Sequence, residues 1–226
     1  MKYSVYCLFL ILFSISLLCS RSYAQEVSPL VHFSVFIGGA FPEGDLGSIT
    51  STNAGYAKAG YSLMLQGDKC IIGGLYWTSS ISATLNGIND GALQSATQSS
   101  LGIKDNVSTN NDSYITGLLM TGLGFETPSW NSVQFYGSAQ VGLLVSSFPT
   151  ETISYKAYTA NISTNTPAAF AYGFGAGVVY NSINLGVRYY QGDPKYKVVT
   201  TVQSYPTSST IQPTTQLLQV MIGYCF

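Results

Sequence analysis

An all-β fold, eight antiparallel strands closed into a transmembrane β-barrel with long extracellular loops and short periplasmic turns, is what this sequence predicts, on three observations. Leu218, Val220, Ile222, Tyr224 and Phe226 recur at a spacing of two, so one whole face of the last strand is oily. Only 8% of the 226 residues are charged, against about a quarter in ordinary soluble domains. Beyond the N-terminal run, no segment approaches the ~20 consecutive apolar residues of a spanning helix, which leaves alternating strands as the way to cross a bilayer. Closure follows from energetics. Each unpaired backbone group in lipid costs several kcal/mol, so two bare sheet edges would outweigh the ~5–15 kcal/mol by which whole domains are stable.

The N-terminus sets the compartment. Lys2 precedes an apolar run from Val5 to Cys19, and Ser22 and Ala24 stand at the spacing of a cleavage site. Residues 1–24 therefore read as a secretory signal peptide, leaving 25–226 as one barrel domain that begins at Gln25. Leu18, ahead of Cys19, departs from the small residue a lipoprotein anchor needs, and the run is short for a retained spanning helix. The remainder is slightly acidic and carries no basic cluster, which argues against nucleic acid as a partner.

The strands follow in order. The first is Val31 to Phe41, with Phe33, Val35, Ile37 and Phe41 on one face, and Pro42-Glu43-Gly44-Asp45 ends it. The second, Tyr56 to Gln66, sets Ala57, Ala59, Tyr61, Leu63 and Leu65 outward against Lys58, Gly60, Ser62, Met64 and Gln66, and Gly67-Asp68 reads as a hairpin reversal. The third runs from Cys70 to Ala83 with Ile71, Leu75, Trp77 and Ile81 outward, before a polar loop from Thr84 to Asp112. Ser113 to Phe125 is the fourth, ended by Pro128, which cannot continue a ladder. Ser132 to Ser147, the fifth, has Val133, Phe135, Ala139, Val141, Leu143 and Val145 on one side; a loop from Phe148 to Pro167 follows. The sixth, Ala168 to Tyr180, joins through Asn181-Ser182 to the seventh, Ile183 to Gln191. A loop from Gly192 to Pro213 leads to the eighth, Thr214 to Phe226.

Connections alternate long and short along the chain, so both termini are expected on the periplasmic side of a Gram-negative outer membrane. The outward set carries no acid or base, whereas Lys58 and Arg188 fall on the polar parity. An eight-stranded barrel is just wide enough to be filled by side chains. The expectation is thus a packed polar interior, with Glu43 and Asp45 as counter-ions for Lys58 and with Tyr hydroxyls, Gln side chains or water around Arg188. Phe33, Phe125, Phe135, Tyr189, Tyr224 and Phe226 are candidates for aromatic girdles where barrel meets headgroups.

Chemistry is sparse. His32 and Ser34 share a face at i and i+2, the pairing an acyl-transfer site uses, but at the periplasmic start of the first strand and with no strand acid to orient the imidazole. The reading is a satisfied interior histidine, no catalytic residues and no enzyme. Asn106-Val107-Ser108 and Asn161-Ile162-Ser163 mark polar loops, and no cluster of His, Cys and carboxylates suggests a metal or other cofactor. Cys70 and Cys225 are placed three strands apart, too far for a bridge, and are expected to be free thiols.

The run Gly38-Gly39-Ala40-Phe41-Pro42-Glu43-Gly44-Asp45-Leu46-Gly47, then Gly60-Tyr61, Ala171-Tyr172-Gly173-Phe174-Gly175-Ala176-Gly177-Val178 and Arg188-Tyr189-Tyr190 resemble the small outer-membrane β-barrel-domain proteins of Bacteroidetes-type bacteria, related to the PorT-like barrels. Tyr224 and Phe226 are similar to the C-terminal signal read by barrel-assembly machinery. The resemblance covers nearly the whole mature chain and implies the fold, with outer-membrane lipid and the assembly machinery as partners; it implies no reaction. Two functions remain in view. One is a scaffold whose extracellular loops bind a cell-surface or envelope partner; the other is a narrow channel for small solutes, which a filled interior opposes. A soluble lipocalin-like carrier, with apolar faces turned inward, is the outlying alternative.

Overall fold

Among the described residues the strands, in chain order, are β1 (Val31–Glu43), β2 (Ala57–Ile72), β3 (Leu75–Ile88), β4 (Ser108–Asn111), β5 (Tyr114–Glu126), β6 (Val133–Ser147), β7 (Glu151–Tyr155), β8 (Tyr158–Thr164), β9 (Ala168–Tyr180), β10 (Ile183–Gly192), β11 (Tyr196–Val202), β12 (Tyr205–Ile211) and β13 (Thr215–Cys225). The computed structural model describes residues 31–226 apart from residues 52, 103–107, 156–157 and 203–204. The signal-peptide reading, with cleavage before Gln25, lies outside the described residues.

Eight strands close into an antiparallel barrel in the order β1-β13-β10-β9-β6-β5-β3-β2. The seam between first and last strands runs in unbroken register from Ser34 opposite Cys225 to Glu43 opposite Gln216. Side chains sort as the alternation dictates: Ile37, Leu185, Val187, Val220 and Ile222 are exposed on the outer wall, while Phe36, Met64, Leu144, Arg188 and Gln219 are buried in the lumen. The barrel is therefore inside-out relative to a soluble protein, with an oily exterior and a filled, mostly polar interior. Phe33, Phe125, Phe135, Tyr224 and Phe226 stand exposed toward the end that carries the chain reversals at residues 73–74, 127–132 and 181–182, and Tyr189, half-buried, stands toward the opposite end.

Three expectations need correction. The first hairpin turns at Gly73 and Gly74, both at positive φ, and not at Gly67-Asp68, which lie within β2 opposite Phe33 and His32. Glycine alone takes such a pair of conformations without strain, so the Gly-Gly dipeptide was the stronger signal, and Cys70 belongs to β2. Lys58 is exposed and outside the lumen, because a bulge between Ala57 and Gly60 shifts the parity and turns Ala57 inward. It has no interior counter-ion to find; Asp45 accepts instead from the Thr214 N–H at 3.3 Å. Lys69 also stands on the outward parity, at the short-turn end, where a long side chain can reach water.

The largest difference lies in the loops. The segments read as polar connections fold into a second sheet of five strands, in the order β12-β11-β8-β7-β4, drawn from three separate loops. A helix, Asp90–Leu101, occupies the loop before β4; the Asn89 side chain caps it by accepting from Ala92 N, and Gly102 ends it in the left-handed conformation. Asn161-Ile162-Ser163 is thus part of a strand, β8.

Candidate functional site

The lumen is shaped by one bare stretch of wall. On β9 the inward positions Gly173, Gly175 and Gly177 carry no side chain, and three large side chains fill the space. A Cβ at Gly173 would stand 2.3 Å from the Tyr190 ring, one at Gly175 would stand 3.2 Å from Arg188 Cγ, and one at Gly177 would meet Tyr136 Oη at 2.5 Å. Arg188 Cζ lies 5.0 Å from the Phe36 ring centroid and 6.0 Å from that of Tyr136. The faces of Phe36 and Tyr136 flank the guanidinium, and the Tyr136 hydroxyl, of the kind expected, is near enough to interact with it. Gln219 lies opposite it in register and spends its Nε2 on Thr84 Oγ1 at 3.1 Å.

At the short-turn end, His32 and Ser34 do not form a pair. Ser34 Oγ is 3.0 Å from Cys225 Sγ, and the His32 ring meets Tyr76 edge-on, centroids 6.3 Å apart. Strand acids are present after all: Asp68 sits opposite His32 on β2, and Glu126 lies near the imidazole. Asp68 is committed elsewhere, since both its oxygens accept from Gln66 Nε2, at 2.9 and 2.7 Å. Cys70 and Cys225 are free thiols, two strands apart with β1 between them and not three as the misplaced turn implied. Among the described residues no group of three or more His, Cys, Asp and Glu could hold a metal ion.

The opposite mouth is closed by packing. Leu46, Ala57, Ile88, Leu93, Tyr114 and Leu217 form one buried apolar cluster, with Tyr56 and Phe148 against it. It draws on the helical turn Gly44–Gly47, the rim of the barrel and the helix Asp90–Leu101. From there an aromatic chain climbs into the second sheet: Tyr114 to Phe148, 4.9 Å between centroids, then Phe148 to Tyr196, 5.4 Å, both edge-to-face. Tyr114 also donates its hydroxyl to the Gly55 carbonyl.

The second sheet has two unlike faces, because cross-strand partners share a face. Register puts Val198, Val202, Tyr205, Ile162, Ala160 and Ile153 on one side, interspersed with Thr164, Thr200, Thr207 and Ser209 and joined by Tyr196 and Glu151, which are buried where that side meets the plug. The other side carries Lys197, Thr201, Ser208, Thr210, Asn161, Ser163 and Thr152, and Thr152 Oγ1 donates to Asn161 Oδ1 at 3.1 Å. Tyr205 is 80% exposed at the tip of its hairpin. Burial pushes the Glu151 carboxyl above the usual carboxylate range. Burial likewise raises the Tyr196 phenol, against a smaller opposing influence of the neighbouring Ser146 and Thr215 hydroxyls.

No family model and no curated protein matches the sequence. Solved structures do match. The outer membrane protein OprG from Pseudomonas aeruginosa aligns with a TM-score of 0.53 at 13% identity, over 86% of this chain and 95% of that one. A major outer membrane protein from Thermus thermophilus aligns with a TM-score of 0.50, also at 13% identity, over 87% and 99%. At that identity the likeness speaks to architecture: this chain has the closed antiparallel barrel fold in which these outer-membrane proteins are built.

Proposed function

We propose that the protein is a non-enzymatic outer-membrane scaffold whose second sheet stands outside the cell and binds a surface partner, either a protein of the envelope or an extracellular one. The observation that carries this reading is the sheet β12-β11-β8-β7-β4, in which three loops of one barrel are hydrogen-bonded into a single two-faced platform. Loops that merely connected strands would have no reason to pair with one another, and recognition surfaces are commonly carried by loops on a rigid frame. An oily outer wall, girdle aromatics at both ends and a charge-poor composition support the membrane location. Long segments outside and short turns in the periplasm would put both termini on the periplasmic side. The motif resemblance to the Bacteroidetes-type, PorT-like barrels belongs to this proposal.

The channel reading is less favoured, because the apolar plug and the aromatic chain above it occupy the mouth a solute would enter. A photo-reactive amino acid placed at Tyr205 in living cells tests the scaffold reading, with Trp130 in a short turn as the control site. The expected result is a discrete adduct from position 205 alone. Adducts of the same mass from both sites, or none from position 205, would remove the reading. In planar bilayers the purified protein is expected to show no steady conductance.

A further inference from the structure

Arg188 is 1% exposed, lies on an inward position of β10 midway along the lumen, and has no acid bonded to it among the described residues. Among the described residues its Nε and Nη2 have no partner in good hydrogen-bond geometry, and the same holds for Tyr136 Oη and Ser138 Oγ, although the Tyr136 hydroxyl is near enough to Arg188 and Asn184 to interact with both. These donors are neighbours. The Arg188 Cζ is 6.0 Å from the Tyr136 ring centroid, and a Cβ on Gly175 would lie 3.0 Å from Ser138 Oγ and 3.2 Å from Arg188 Cγ. On the other side a Cβ at Gly186 would strike Tyr136 Oη. The wall is thus kept bare where the donors gather. The faces of Phe36 and Tyr136 offset part of the cost of burying a guanidinium but supply no negative charge. Of the lumen's carboxylates, Glu126 stands beside Tyr76 and His32 at the short-turn end, and Asp68, though near enough for its charge to reach Tyr136, has both oxygens bonded to the Gln66 amide and neither to Arg188.

We infer that the lumen holds one small inorganic anion, of halide or nitrate size, bound by the Arg188 guanidinium with the Tyr136 and Ser138 hydroxyls as further donors. Such an ion supplies both things the site lacks, a counter-charge and an acceptor for several converging N–H and O–H groups. Asn184 neighbours Tyr136 and has a buried amide oxygen with no partner among the described residues, so it can turn an N–H toward the ion by exchanging the two ends of the amide, whereas Gln219 keeps its Nε2 on Thr84. Phe36, Met64, Met221 and Tyr190 are buried in the same lumen and crowd it, which is why a small anion is inferred and not sulfate or phosphate.

The test is thermal unfolding of the full detergent-folded protein in sodium chloride, bromide or nitrate, against gluconate and sulfate at equal ionic strength. The wild-type midpoint is expected to rise saturably with the first three anions and not with the last two. Arg188→Met should abolish that dependence, Ser138→Ala and Tyr136→Phe should weaken the apparent affinity, and Asp68→Asn should leave it in place. Equal midpoints in chloride and gluconate, or a chloride effect that survives Arg188→Met, would overturn the inference. Should the methionine variant not fold, wild-type crystals grown in bromide decide instead. An anomalous peak in contact with the guanidinium upholds the site, and none there rejects it.

Discussion

The two sheets of this molecule meet the same difficulty in opposite ways. Any β-sheet exposes unpaired backbone at its margins. The barrel abolishes its margins by pairing β1 with β13, and in exchange fixes every strand's register and facing. The loop sheet keeps two margins and guards them: β4 at one edge has only four residues, and β12 at the other carries Pro206, whose missing N–H is tolerated only at an edge. A closed membrane sheet admits charge on its outer wall only near its ends, as at Lys58 and Lys69, whereas an open one can vary its faces freely, which is what a recognition surface requires.

That contrast predicts a hierarchy of mutational effects. The largest belongs to the bare wall of β9. Gly173→Val would drive a side chain into the Tyr190 ring and the Tyr189 carbonyl, and a loss of about 3 kcal/mol or failure to assemble is expected, read as loss of the heat-modifiable compact band on a gel. Next, Val220→Lys, midway up the outer wall, should cost about 2–4 kcal/mol in a bilayer. Val199→Lys, on the hydroxyl face of the loop sheet, should stay within about 0.5 kcal/mol. Equal costs in urea unfolding from vesicles would mean that the outer wall does not face lipid.

Tyr114→Phe, which removes the hydroxyl donated to Gly55 and strands a carbonyl, should loosen the plug by about 1–2 kcal/mol. Hydrogen exchange in β7 and β11 should rise while the seam amides stay protected. Glu151 gives a subtler handle. Its folded carboxyl is raised by burial, so the folded state holds its proton longer than the unfolded chain does, and stability falls as pH climbs from the ordinary carboxylate range through the raised value. Protection of the loop sheet should therefore be higher at mildly acidic than at neutral pH, and Glu151→Gln should erase the difference. Smallest of all, Pro206→Thr should leave stability nearly unchanged and raise only the tendency of the protein to self-associate through β12.

The same contrast explains what could be read in the sequence. Barrel strands announce themselves because one face is aliphatic or aromatic and the other small or polar, as in Val133 to Ser147 or Leu218 to Phe226. In the loop sheet the two faces differ only as Val, Ile and Tyr differ from Ser, Thr and Asn over strands of four to seven residues, and Ser/Thr-rich stretches read equally well as loop. Two of its four pairings, β4 with β7 and β8 with β11, join separate loops, so no window of sequence holds them; the other two, β7 with β8 and β11 with β12, are local hairpins. Lys58 was misplaced because a bulge breaks parity without leaving a compositional trace, and the His32 environment because Asp68 was assigned to a turn. The helix Asp90–Leu101 did leave a signal in Asn89 and Gly102 as its two caps, though its polar, weakly amphipathic body hid it.

The meeting of Ser34 with Cys225 spans 191 positions of chain. No part of the cylinder can be sealed until both of its extremities are in hand, so a nascent or partly delivered polypeptide has nothing stable to become. Whatever escorts it must hold an oily, open ribbon for the whole of that interval, and synthesis that halts early yields cargo for proteolysis instead of a smaller barrel.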